Sequence, residues 1–173
     1  IAGVNYLYDD YGNEIERNFF NIQGKPCLLS NRYSKEVYTY DNNGNLLRER
    51  YYNLNNKLAL NDDGLAGHDY VRDERGNLLE DTPVGTDGKL KKGKLKSKYK
   101  YDKFDNEIEF AVYDSNGPAI NQYNYHRYVC KYNSRNQLTE IAYYGTKGEL
   151  VCYNDDKFAI QQQQYDIRGH RSS

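Results

Sequence analysis

The chain has 173 residues, a net charge of −1, 20 tyrosines and neither methionine nor tryptophan. The near-neutral balance excludes a general nucleic-acid binder, and no apolar run is long enough to span a membrane. Leu, Ile, Val and Phe number 35, close to the level at which chains stay unfolded, but the low net charge and the tyrosine rings predict a folded protein with a thin, tyrosine-rich core.

A Tyr-Asp-x-x-Gly-Asn pattern begins at Tyr8-Asp9 and returns at Tyr40-Asp41, Arg72-Asp73, Tyr101-Asp102, Tyr132-Asn133 and Tyr165-Asp166. The steps are 32, 32, 29, 31 and 33 residues, a period that signals stacked structural repeats running through residues 1–173. Within each repeat the first half reads as strand, turn, strand. Tyr38 and Tyr40 lie two apart, as do Tyr99 and Tyr101, which is the strand period. Asp41-Asn42-Asn43-Gly44-Asn45 supplies residues that tolerate positive φ or close Asx turns. The return strands are Glu14 to Phe20, Leu46 to Tyr52, Glu107 to Tyr113 and Leu138 to Tyr144, three of them ending in an aromatic pair.

The second half of each repeat is looser. A turn such as Asn21 to Pro26 or Gly145 to Gly148 precedes a short apolar run, Cys27-Leu28-Leu29, Leu58-Ala59-Leu60 or Leu150-Val151-Cys152, which offers a third short strand. The nearest helix candidate, Asp156 to Gln164, lacks an apolar stripe. The predicted fold is all-β: tandem antiparallel hairpins forming an elongated twisted sheet or an open β-solenoid. The absence of an initiator methionine and the stop just after Tyr165–His170 predict an excerpt of a longer protein.

No constellation of catalytic residues stands out, and neither cofactor nor metal is predicted. Asp41–Asn45 and Asn61–Gly64 are oxygen-rich but lack calcium-loop spacing, and turn chemistry accounts for them. Cys27, Cys130 and Cys152 read as small buried hydrophobes, with Cys27 and Cys152 too many repeats apart to bridge. His68, His126 and His170 read as isolated surface or turn residues; His68-Asp69 is half of an acid–base pair without a nucleophile. Glu14/Glu16 and Glu107/Glu109 each fall on one strand face by alternation.

Two surfaces are candidates for binding. Lys94, Lys96, Lys98 and Lys100 alternate, so a strand would place four ammonium groups on one face, either gripping a polyanion or simply guarding an edge. The doubled aromatics Tyr51-Tyr52 and Tyr143-Tyr144 put one ring on each side of the sheet and are candidate ligand contacts for an extended glycan or protein. Tyr40, Tyr101, Tyr132 and Tyr165 read as core.

The segment Tyr40-Asp41-Asn42-Asn43-Gly44-Asn45-Leu46 and its copies resembles the tyrosine-aspartate (YD) repeats of the rearrangement-hotspot (RHS) group, over about half of each repeat. The present period is longer than that group's, and Gly24-Lys25-Pro26 is an added segment. The resemblance implies a bacterial cell-envelope or extracellular setting and an array without catalytic residues. The function expected is a non-catalytic module that binds or scaffolds an extended glycan or protein; the alternative is a spacer or shell segment carrying an effector domain outside this chain. No specific nucleic-acid partner is expected, and the oligomeric state is left open.

Overall fold

The computed structural model describes residues 2–30, 32–154 and 158–171. The described residues form an all-β protein of antiparallel strands, with no helix among them and so none able to cross a membrane. The chain divides into two compact lobes, residues 1–96 and 97–173.

In the first lobe β1 (Gly3–Tyr8), β2 (Glu14–Phe20), β3 (Lys35–Tyr40), β4 (Leu46–Tyr52), β5 (Gly67–Arg72) and β6 (Leu78–Val84) pair in chain order. In the second, β7 (Lys96–Tyr101), β8 (Glu107–Asp114), β10 (Arg127–Tyr132), β11 (Leu138–Tyr144) and β12 (Ile160–Gln162) are neighbours in that order, and the two-residue β9 (Gly117–Pro118) pairs with β8. The return strand β6 carries Pro83 near its end and no aromatic pair, which hides it from the sequence pattern.

Turn chemistry builds each hairpin. The Asp41 carboxylate accepts from the N–H of Asn43 at 2.9 Å and of Asn45 at 2.8 Å, and its second oxygen accepts from the Asn45 amide at 2.9 Å. Asp9, Asp73 and Asp102 do the same in their turns. Gly44 takes φ 80° to close the loop; Asp105 and Asn136 hold the corresponding positive φ where glycine is missing, since their short polar side chains tolerate it. Just before the turn each well-registered hairpin slips by one residue, at Leu7/Tyr8, Thr39/Tyr40, Val71/Arg72 and Lys131/Tyr132. This bulge sets the signature residue opposite the first residue of the return strand.

Alternation breaks beside the turns. Glu107 meets Tyr128 while Glu109 meets Arg127, and those partners are consecutive on β10, so the two carboxylates lie on opposite faces. Glu14 and Glu16 split likewise, toward Arg17 and Asn18. The expectation of one shared face fails for both pairs.

Neighbouring hairpins meet in a seam with two fixed ties. At one end a return-strand N–H donates to the carbonyl that opens the next hairpin: Phe19 to Ser34 (3.1 Å), Tyr51 to Ala66 (3.0 Å), Val112 to His126 (3.0 Å) and Tyr143 to Ala159 (2.9 Å). At the other end the signature side chain donates to the first carbonyl of the preceding return strand: Tyr40 to Glu14 (2.9 Å), Tyr132 to Glu107 (3.0 Å) and Tyr165 to Leu138 (2.9 Å). These tyrosines, with Tyr101, are half-buried rather than core. For Tyr40, Tyr132 and Tyr165 the reason is that tie, which holds the phenol at the seam.

The core of the first lobe gathers Phe19, Tyr33, Tyr51 and Ala59, flanked by Cys27 and Leu29. Phe19 meets Tyr33 edge-on at 5.8 Å, and Tyr33 lies 4.8 Å from Tyr51. The apolar runs expected as third strands are bordered by isolated bridges, Phe20 to Pro26, Tyr52 to Leu58 and Tyr144 to Leu150; after the second, an Asx-type turn on Asn61 follows at once. Of the helix candidate, 156–157 lie outside the described residues, and the rest contains β12. Cys130 is buried and Cys27 half-buried, but Cys152 is exposed beyond its bridge, so burial does not account for all three.

Candidate functional site

An open, tyrosine-lined groove of about 440 Å³ lies in the second lobe, with Tyr125, Tyr128, Tyr143, Tyr153 and Glu107 among its walls. Strand alternation places it. Tyr128, Cys130 and Tyr132 on β10 and Ile141 and Tyr143 on β11 point to one face, and Glu107 of β8 reaches the same face. The rings pack on one another: Phe110 stacks on Tyr128 at 5.2 Å, Tyr125 lies 5.2 Å from Tyr143, and Tyr143 lies 4.9 Å from Tyr153. The rings thus hold one another by direct packing.

One carboxylate fixes the polar end. The Tyr128 hydroxyl donates to the Glu107 side chain, and Tyr132 donates to the Glu107 carbonyl. Burial, then the bond to Glu107, pushes the Tyr128 phenol well above the ordinary tyrosine range. Burial likewise pushes the Cys130 thiol up to about 11, so it stays protonated and is no nucleophile at neutral pH. The groove can offer ring faces, hydroxyls and one carboxylate to a neutral polar ligand.

The first lobe uses the same residue types differently. Glu36 is buried and accepts from Tyr33 (2.9 Å) and Tyr38 while pairing with Arg17 at 2.9 Å, which leaves it saturated. His68 Nδ1 lies 2.7 Å from Asp81, and its ring stacks on Tyr70 at 5.6 Å. The hydrogen bond to Asp81 raises the His68 pKa against the opposing effect of burial. The nearby Tyr70 phenol is pushed up to about 12 by burial, so no nucleophile accompanies this pair. His126 is buried, bonding the Val112 carbonyl at 2.8 Å, and is not the surface histidine expected. It occupies the seam position between β8 and β11, its carbonyl accepting from Val112 at 3.0 Å and its N–H donating to Tyr144 at 2.9 Å.

The sequence candidates divide. Tyr51 and Tyr143 are each only 8% exposed; Tyr51 belongs to the core cluster, and Tyr143 forms a wall of the groove. Tyr52 and Tyr144 lie on the opposite face, half-buried, each with a cation over the ring: Lys35 at 5.3 Å and Arg127 at 4.8 Å. Of the lysines, Lys96, Lys98 and Lys100 lie on β7, but Lys94 precedes it, because its N–H closes a turn on the Lys91 carbonyl at 2.9 Å. Lys96 pairs with Glu80 at 2.9 Å, Lys100 pairs with Glu109 at 2.8 Å, and Lys98 sits over the Tyr113 ring at 5.5 Å. Three of the four charges are therefore engaged locally.

Tyr125, Tyr128 and Tyr153 are absent from the sequence candidates, whereas Cys130 and Glu107 appear there only as a buried hydrophobe and a strand-face carboxylate. The available signal was the density of three tyrosines between positions 123 and 128.

No protein-family model matches the chain, and no curated protein matches it. What the structure defines is a class: an all-β, hairpin-rich protein with an aromatic groove on one sheet face.

Proposed function

We propose that the chain is a non-catalytic binding module of a bacterial envelope or secreted protein, and that the groove of its second lobe takes a segment of an extended glycan. One observation carries this: rigidly packed tyrosines and a single carboxylate converge on one open groove. Sugar C–H faces stack on aromatic rings, while hydroxyls bond phenols and carboxylates; such mixed apolar and polar lining is typical of small-ligand sites.

The test is a polysaccharide and glycan array probed with the wild-type chain and the Tyr153→Ala and Glu107→Gln variants, at about 50 mM and 200 mM salt. Binding that persists at the higher salt and falls in both variants supports the groove. Binding lost with salt transfers the role to the lysines of β7, and binding equal in all three proteins removes the groove from consideration.

A second reading is a structural spacer or an RHS-like shell segment carrying an effector domain outside this chain. The recurring ties of Tyr40, Tyr132 and Tyr165 favour it, because they spend the signature residue on joining hairpins. Absence of binding on the array at both salts supports that reading.

A further inference from the structure

Two return strands open on the same run, Glu14-Ile15-Glu16 in β2 and Glu107-Ile108-Glu109 in β8. Their surroundings correspond. Tyr40 donates its hydroxyl to the Glu14 carbonyl as Tyr132 does to that of Glu107. The fourth residues, Arg17 and Phe110, stand opposite Glu36 and Tyr128. In the first lobe that fourth residue is a cation, which neutralises the site. Arg17 pairs with Glu14 at 2.9 Å and with Glu36 at 2.9 Å, and its guanidinium lies 5.4 Å from the centre of the Tyr6 ring.

The second lobe keeps the carboxylate and replaces the cation. Phe110 stands where Arg17 would and stacks on Tyr128 at 5.2 Å. The Tyr128 hydroxyl bonds one Glu107 oxygen; among the described residues the other accepts no hydrogen bond, and no cation pairs with Glu107. Neighbouring cations are committed elsewhere, Lys100 and Arg127 to Glu109 and Lys131 to Glu140. The half-buried Glu107 instead lines the open tyrosine groove. Its charge is felt along the wall, where it adds to burial in raising the Tyr128 phenol and the Cys130 thiol.

We propose that the groove selects an amino-sugar unit of the glycan, whose protonated amine takes the role that Arg17 has in the first lobe. This rests on the reading of the groove as a glycan site and names the unit it takes. The ammonium donates to the open Glu107 oxygen, and ring faces attract the same positive charge. A neutral sugar can still meet rings and hydroxyls, but the carboxylate gives the charged one the advantage. At about 440 Å³ the groove falls within the size of small-ligand sites, roughly 300–1,000 Å³, so a sugar ring can enter with its amine. A bare metal ion suits the place poorly, because a single carboxylate falls far short of an oxygen cage. The β7 lysines cannot imitate the effect, since they repel an ammonium.

The probes are short β-linked oligomers of glucosamine and of N-acetylglucosamine, equal in length, titrated into the full chain by calorimetry. Acetylation removes the charge, so the glucosamine oligomer should bind about tenfold or more tighter. Glu107→Gln keeps the acceptor for Tyr128 and should erase that preference. Phe110→Arg, which restores the internal cation, should erase it too. Equal affinity for the two oligomers overturns the inference and leaves a glycan groove standing. A preference that survives Glu107→Gln overturns it, as does an oligolysine of matching charge that binds as tightly as the amino sugar. Binding of neither oligomer also overturns it, and the array then decides the wider glycan reading on other sugars.

Discussion

Arg72 donates its Nε–H to the Leu46 carbonyl at 3.1 Å, in the place where Tyr40 gives its hydroxyl to Glu14. The one signature that lacks tyrosine thus keeps the tie through a different donor, and a second guanidinium nitrogen reaches the Gly76 carbonyl at 2.9 Å. What the position requires is a long side chain ending in a donor.

It follows that Arg72→Tyr should leave stability within about 0.5 kcal/mol of wild type, while Arg72→Ala should cost about 1 kcal/mol or more. Tyr132→Phe, which removes only the hydroxyl, should cost about 1 kcal/mol. Urea denaturation of the three variants checks this; equal losses for Arg72→Tyr and Arg72→Ala would show that the ring does not replace the guanidinium.

Two glycines of the β4–β5 connection should respond very differently to alanine. A Cβ on Gly67, at φ 142°, would lie 1.9 Å from the Glu49 carbonyl oxygen, so the seam would have to open. Gly67→Ala should cost roughly 3 kcal/mol or more. Gly64, at φ 74°, has open space around it, and Gly64→Ala should cost about 1 kcal/mol from backbone strain alone. Thermal melts that rank the two variants the other way would contradict the close approach.

The pH dependence of the first lobe should have two limbs. The His68 pKa is raised in the folded state, chiefly by its bond to Asp81, so its contribution is complete below the unfolded histidine value of about 6.5 and fades as pH rises through the folded value. Asp69 behaves oppositely. Burial pushes it up, the bonds from Arg48 and Arg50 more than reverse this, and its contribution is lost as pH falls through the lowered value. Denaturation midpoints across about pH 2 to 9 should lose the alkaline decline in His68→Gln and keep it in Asp69→Asn, which should instead lose part of the acid decline.

Much of the hairpin architecture was legible because turn chemistry is local. Asp41 and Gly44 declare a turn within five residues, and Tyr38/Tyr40 declare the strand beside it. The bulge at Leu7/Tyr8 was not legible, since it arises from pairing two strands, and with it Glu14 and Glu16 take opposite faces; Glu107 and Glu109 divide in the same way. The groove escaped for a related reason. Tyr125 and Tyr153 lie in connectors outside the recurring pattern and meet Tyr128 and Tyr143 only after the sheet has formed. The split between Tyr51 and Tyr52 was readable as a difference of face, but only packing decides which ring enters the core.

The uniform seam has a mechanical consequence. Each is closed by a few registered pairs and two end ties lying across strands that run side by side, so tension applied along the chain loads these bonds one after another instead of all together. Hairpins should peel singly under modest force, each releasing about 32 residues, or roughly 110 Å of extended chain. Optical-trap extension should record steps of that length, and a single rip of each whole lobe would show that its seams yield together. A protein built this way would lengthen under load and re-form its seams when the load is removed.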